Sequence, residues 1–116
     1  MSREWSFFLA DMIEACRRVL AYTAGMDREE FLRDRKAYDA TVRNLEILGE
    51  AAKGIPDDVR TRHPQVPWRD IAGFRDVLSH AYFGIDEDVL WDVVSNKTPV
   101  LSKRLEAIAA ASEDEG

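Results

Sequence analysis

The sequence predicts an all-α protein, an up-and-down bundle of four main helices joined by short helical turns. Apolar residues recur at three- and four-residue spacings along most of the chain, the pattern of a helix with one buried face. Glycine, proline and capping residues divide this pattern into segments of helical length, and no segment shows the period-two alternation of a strand. The 116 residues, 46% of them hydrophobic, suit a single core. We expect one domain at residues 1–112 and an acidic disordered tail at 113–116.

The first half of the chain predicts two long helical tracts. The first tract is predicted from one apolar face and ends before Gly25. The residues of this face are Trp5, Phe8, Leu9, Met12, Ile13, Cys16, Val19 and Leu20. Asp27 and Glu30 have the spacing of a capping box, so a second tract begins between them. That tract continues to Gly54, with a bend expected at residues 33–36.

The second half predicts shorter helices separated by prolines and glycines. Closely spaced prolines leave room for one helical turn, around Asp57–Arg62. Pro67 suits the first position of the next helix, which we expect to end near Gly84. Asp86 can cap a further helix, and Pro99 is expected to open the last one.

Cysteine, histidine and hydropathy patterns exclude several classes of protein. Cys16 is the only cysteine, so there is no internal disulfide framework, and His63 and His80 show no zinc-ligand spacing with it. We therefore expect no structural metal. The N-terminal segment carries acids and bases inside its apolar run, unlike a signal peptide, and no segment approaches a membrane helix of roughly 18 apolar residues. We expect a cytoplasmic protein.

Charge is unevenly placed along the chain. The net charge of −6 argues against indiscriminate coating of nucleic acid. Residues 33–75 nevertheless hold nine basic against seven acidic side chains, so a phosphate-bearing partner would meet this part. The candidate RNA-binding residues are Arg33, Arg35, Lys36 and Arg69. A solvated helix face is the alternative interpretation of the first three, because Asp34 and Asp39 interrupt them.

The segment from Pro67 to Asp86 concentrates polar and reactive side chains within one helix length. They are Arg75, Asp76, Ser79, His80 and Tyr82. On an undistorted helix Arg75 and Tyr82 share a face, whereas His80 lies about 140° from Arg75. Either the helix loosens before Gly84, or Arg75 and His80 meet their counterparts from a second subunit across a two-fold axis.

An arginine and a histidine with no metal ligands near them suit the cleavage of RNA. In RNA the 2′-OH beside each phosphodiester can serve as the nucleophile, so no metal-bound water is needed. His80 can move a proton near neutral pH, since the unperturbed pKa of histidine is about 6.5. Arg75 can hold the phosphate with its planar guanidinium, and Asp76 can orient either partner. The alternative is that Arg75 and Asp76 are solvated helix residues and His80 is a packed histidine.

Two runs carry a resemblance to a known family: RNLEILGEAAKGIP at 43–56 and HPQVPWRDIAGFRDVLSHAYFGID at 63–86. The chain resembles the HepT-like toxins of the HEPN superfamily over nearly its whole length, and the most specific element, Arg-x4-His-x-Tyr, is intact at Arg75, His80 and Tyr82. The resemblance implies a HEPN-like bundle that forms a homodimer. It also implies a metal-independent endoribonuclease, with no cofactor, whose arginine and histidine act at a cleft along the dimer interface. Asp76 departs mildly from the asparagine often found there, which bears on rate more than on mechanism.

The same resemblance implies a partner. In such type VII-like toxin–antitoxin pairs the antitoxin is a minimal nucleotidyltransferase that transfers AMP to the motif tyrosine, here Tyr82. A phosphate on that hydroxyl would compete for Arg75, which shares its helix face. Two other classes of function stay open: a non-catalytic dimeric subunit that binds a nucleotide or phosphate for the nucleotidyltransferase, and a plain structural bundle.

Overall fold

The structure is a computed structural model that describes the backbone of residues 4–79 and 86–115, without the side chains of residues 75–77, 79 and 113–115. Over these residues the chain is all-α, as the sequence predicts. The elements are α1 (Glu4–Tyr22), α2 (Arg28–Arg33), α3 (Arg35–Ala52), α4 (Asp57–Arg62), α5 (Trp68–Ser79), α6 (Glu87–Asp92), a π-helical segment (Val93–Lys97) and α7 (Thr98–Glu115). Helix α7 therefore extends into the segment 113–116 that the sequence predicts to be a tail.

Capping residues set the helix boundaries in the first half of the chain. Gly25 follows α1 with a φ of +74°, a conformation that favours glycine. The capping box is confirmed, because Asp27 Oδ1 accepts from the Glu30 N–H at 2.8 Å and Glu30 Oε1 accepts from the Asp27 N–H at 3.3 Å. The bend expected at residues 33–36 is a complete break at Asp34, which ends α2 and caps α3 by accepting from the Ala37 N–H at 3.0 Å.

The predicted start of the last helix at Pro99 agrees with the structure within one residue, because α7 begins at Thr98. The sequence does not predict that this helix continues directly from α6. The backbone stays helical from α6 through the π-helical segment into α7, with Thr98 in the right-handed helical conformation. Pro99 has no N–H to donate and its ring crowds the preceding turn. The wider π turn accommodates it, because the Thr98 N–H bonds to the Val93 carbonyl five residues back.

The boundaries around α5 and α6 agree with the sequence within one residue where the structure describes them. Helix α5 begins at Trp68, and the Pro67 carbonyl accepts from the Ile71 N–H at 3.1 Å. The predicted cap of α6 is confirmed, since Asp86 Oδ1 accepts from two backbone N–H groups of the first turn. The predicted end near Gly84 lies outside the described residues.

The core lies between α1, α3 and α7, and α3 also packs against α5. Fully buried side chains come from all three core helices and from the shorter elements, and they include Met12, Cys16, Phe31, Leu45, Leu90, Leu105 and Ile108. Where α1 crosses the end of α3, the Phe8 ring lies directly on Gly54, so a β-carbon at that position would overlap the ring. In the described part of the chain, no helix has the length and hydropathy needed to span a membrane.

Candidate functional site

Helix α5 carries the first part of the predicted site. The backbones of Arg75 and Asp76 lie in its last turns. Their side chains are not among those described, and His80 and Tyr82 lie outside the described residues. What the structure defines is therefore the frame of helices that positions the motif.

Packing holds α5 in one orientation about its axis. Trp68, Ile71 and Leu78 are buried, and the Trp68 indole Nε1 donates to the His63 carbonyl at 3.0 Å. The backbone of Arg75 lies about one helical turn from both Ile71 and Leu78, so this packing fixes the position of the helix that carries it.

Helix α5 packs against α3. Leu45 and Leu48 of α3 and Pro67, Ile71 and Phe74 at the start of α5 help to line a mostly apolar cavity of about 420 Å³. Six residues separate Ser79, at the end of α5, from Asp86, which caps α6. We call α2, the N-terminal half of α3 and the start of α6 the site end, because the chain enters α6 directly after the motif.

An aromatic cluster holds the site end together. Phe31 of α2 is fully buried, and its ring centroid lies 5.5 Å from those of both Tyr38 in α3 and Trp91 in α6. Arg28 Nε also donates to Asp88 Oδ1 at 2.9 Å, which joins α2 to α6 at the surface. Burial raises the pKa of the Tyr38 hydroxyl, and the nearby charge of Glu87 raises it further.

Three of the four predicted RNA-binding residues lie at the site end. Arg33, Arg35 and Lys36, here called the basic trio, are exposed around the break between α2 and α3. Arg35 is 3.8 Å from Asp39, and its guanidinium lies 4.8 Å from the centre of the Tyr38 ring. Arg69 is exposed in the first turn of α5, which is not part of the site end.

Arg60 belongs to the basic part of the sequence but serves the fold. Its Nε donates to the Ile55 carbonyl and its Nη2 to the Ala52 carbonyl, both at 2.9 Å, so it caps the C-terminal end of α3.

Sequence reasoning missed two polar residues in the interior of α3. Thr41 is fully buried and Asn44 is 5% exposed, and neither Thr41 Oγ1 nor Asn44 Oδ1 has a hydrogen-bond partner among the residues that the structure describes. The signal was present, because Thr41 occupies the apolar stripe that Leu45 and Leu48 continue.

Other reactive groups offer no second site. Burial, reinforced by the charge of Glu106, raises the pKa of the Cys16 thiol to about 12, so this cysteine is unreactive at neutral pH. Among the described residues, no cluster of three or more histidine, cysteine, aspartate or glutamate side chains could hold a metal ion.

The chain is similar to one family of known proteins over most of its length. Residues 12–108 match the family described as Ribonuclease HepT-like. A Methanocaldococcus jannaschii protein named as a candidate RNase is 43% identical over 108 residues, which cover 93% of this chain and 89% of the relative. A Thermococcus cleftensis protein named probable ribonuclease HepT is also 43% identical, over 93% of this chain and 98% of its own. No solved structure matches the chain significantly.

Proposed function

Because the chain belongs to the HepT-like ribonuclease family, we propose that it is a metal-independent endoribonuclease and the toxin of a toxin–antitoxin pair. The observation that carries this proposal is the family match over residues 12–108, which include the whole Arg-x4-His-x-Tyr motif. The exposed basic trio supports it, since these three side chains offer positive charge to an RNA backbone.

In the proposed reaction His80 takes the proton from the 2′-OH of the substrate ribose. The 2′-oxygen attacks the adjacent phosphorus, the bond to the 5′-oxygen breaks, and that oxygen receives a proton. The products are a 2′,3′-cyclic phosphate and a 5′-OH end. Arg75 holds the phosphate and stabilises the charge that develops on its oxygens, and Asp76 orients Arg75 or His80.

The proposed active form is a homodimer. On a regular helix His80 would lie about 140° from Arg75, so one copy alone presents them on different faces. A two-fold axis beside α5 brings the arginine of one copy towards the histidine of the other. The basic trio of each copy then flanks the cleft and can follow the RNA backbone.

The proposed antitoxin is a minimal nucleotidyltransferase that transfers AMP to Tyr82. The adenylyl phosphate would occupy the position that Arg75 offers to RNA, and its charge and bulk would block the cleft. Incubation with the nucleotidyltransferase and ATP is expected to add one adenylyl group to the peptide that contains Tyr82. A Tyr82→Phe variant should stay unmodified, and modification of that variant would exclude this site.

The chain offers a matched control for the catalytic histidine, because it has only two histidines. We expect the parent and a His63→Ala variant to cleave total RNA in EDTA. A His80→Ala variant that keeps its fold and oligomeric state should not cleave. If His80→Ala cleaves as the parent does, the proposed mechanism is wrong. If the parent, shown by intact mass to be free of adenylylation, does not cleave, the protein is not this ribonuclease.

A further inference from the structure

The mostly apolar cavity of about 420 Å³ is lined by residues of α3, α5, the π-helical segment and α7. Its walls include the buried side chains of Leu48, Ile71 and Leu101, one from each of the three α-helices. Val100 also lines the cavity and is 46% exposed, so it lies where the cavity opens to solvent. Open cavities of about 300–1,000 Å³ with apolar walls are typical of sites for small molecules. The size and the walls of this cavity therefore suit a small ligand.

Basic side chains predominate among the charged residues around this cavity. In the described part of the chain, the charged residues that line it are Lys97, Arg104 and Asp70. Lys97 and Arg104 are seven residues apart in one continuous helical path, so they lie on the same side of it, about 10 Å apart along the axis. Val100 and Leu101, which line the cavity too, lie between them. Two cations therefore flank an apolar strip of the cavity wall.

Arg104 is the cation that is best placed to bind an anion. Its Nη1 donates to the Gln65 carbonyl at 2.7 Å, which holds the guanidinium against the loop between α4 and α5. A carbonyl does not neutralise the charge, and no acidic side chain pairs with Arg104 among the residues that the structure describes. Lys97 differs, because its Nζ lies 3.8 Å from Asp92 Oδ2. A guanidinium has five N–H donors, so Arg104 still offers donors and positive charge to a ligand.

We infer that this cavity binds a small amphipathic anion, with an apolar ring system inside it and one anionic group against Arg104. The ring system would lie against the leucine and isoleucine side chains and would gain from the removal of apolar area from water. The anionic group would accept charge-assisted hydrogen bonds from Arg104 and keep part of its hydration, which avoids the cost of burying an unpaired charge. The inference does not rest on the proposed ribonuclease function, because it concerns binding alone.

Two fluorescent probes with the same ring system test this site. 1-Anilinonaphthalene-8-sulfonate carries an anionic group, and N-phenyl-1-naphthylamine is the same molecule without the sulfonate. Each probe is titrated into the folded protein, and the fluorescence gives the dissociation constant. We expect one sulfonate probe to bind per chain with a Kd below about 100 µM. The neutral probe should bind about two- to fivefold more weakly, as for the loss of an exposed ion pair. The sulfonate probe should also raise the Tm, since it binds the folded protein.

The chain offers a matched control for each part of the site. Val100→Trp should fill the opening of the cavity and weaken binding of the sulfonate probe about tenfold or more. Val89→Trp should not, because Val89 is similarly exposed, at 50%, but does not line the cavity. Arg104→Gln should weaken binding of the sulfonate probe about two- to fivefold and leave the neutral probe unaffected. Lys103→Gln should change neither probe, since Lys103 is exposed on α7 and does not line the cavity.

Several outcomes would overturn the inference. They are no binding to the folded parent, equal binding by Val100→Trp and the parent, or a fall in Tm when the sulfonate probe is added. Equal affinity of the two probes, or unchanged affinity in Arg104→Gln, would overturn the selection of an anion. Sedimentation decides whether a second copy of the chain covers the cavity instead. If Val100→Trp or the bound probe lowers the mass of an assembly, the cavity belongs to an interface and the inference is wrong. If Val100→Trp does not fold, Val100→Phe takes its place.

Discussion

Replacing Phe31 by leucine should loosen the site end without unfolding the core. Phe31 is fully buried and pairs with two rings, Tyr38 and Trp91, at centroid distances of 5.5 Å each. Each aromatic pair contributes about 0.5–1.5 kcal/mol beyond the burial of its area, so losing both costs about 1–3 kcal/mol. For a chain of 116 residues this corresponds to a fall in Tm of about 4–12 °C.

Thermal unfolding followed by circular dichroism measures this change, and Phe7→Leu provides the matched control. Phe7 is 71% exposed, so the same substitution there should alter stability by no more than about 0.5 kcal/mol. The Phe31→Leu variant should also lose ribonuclease activity at temperatures where the fold persists, since the cluster joins α2 and α6 to α3. A Tm within about 2 °C of the parent would refute the assignment of the cluster as the element that holds the site end.

Further predictions concern the core cysteine, the cap of α3 and the basic surface. The pKa of Cys16 is raised from 9.0 to about 12, so the stability gained from the protonated thiol is complete below pH 9 and is lost as pH rises toward 12. The free energy of unfolding of the parent, measured in urea, should therefore fall between pH 9 and 11 more steeply than that of Cys16→Ala. The difference in slope should be up to about 1.4 kcal/mol per pH unit, and parallel curves for the two proteins would contradict this prediction. Arg60→Met should lower the free energy of unfolding by about 1–3 kcal/mol, because it removes the hydrogen bonds to the Ala52 and Ile55 carbonyls. The exposed Arg62→Met should lower it by less than about 0.5 kcal/mol, and equal losses would refute the capping role. Replacing the basic trio by glutamines in an inactive His80→Ala background should lower the slope of log binding constant against log salt concentration by about two units. Replacing Arg17 and Arg18 of α1 by glutamines in the same background should leave this slope unchanged, because both are paired with acidic side chains. An unchanged slope would remove the trio from the RNA-binding surface.

Local signals in the sequence predict most of the helix boundaries. The caps at Asp27 and Asp86 depend on a side chain and backbone groups within three residues of it, so spacing alone reveals them. The same reasoning finds the region of the break at Asp34, although a bend was expected there. Pro99 likewise predicts the start of α7 within one residue, since a proline suits the first turn of a helix. The π turn that joins α7 to α6 without a break has no such local signal.

The candidate site is predicted only in its chemistry. Arg75 and His80 can be identified from the sequence because arginine and histidine suit phosphodiester cleavage. This identification does not require knowledge of the fold. The burial of Thr41 and Asn44 depends on how α3 packs in the bundle, which local sequence does not specify. Likewise Arg60 resembles any other basic residue of its segment until the end of α3 is seen beside it.

The most direct test of the proposed chemistry is cleavage of an RNA that carries a single 2′-deoxynucleotide. The cleavage position is first mapped on an all-ribose substrate in EDTA, and the deoxynucleotide then replaces the residue on the 5′ side of the cleaved phosphate. If the 2′-OH is the nucleophile, cleavage at that phosphate should disappear, whereas a deoxynucleotide two positions away should leave it intact. If the RNA with the deoxynucleotide on the 5′ side of the cleaved phosphate is cut as fast as the all-ribose RNA, water attacks the phosphate. That result would contradict the mechanism assigned to Arg75 and His80.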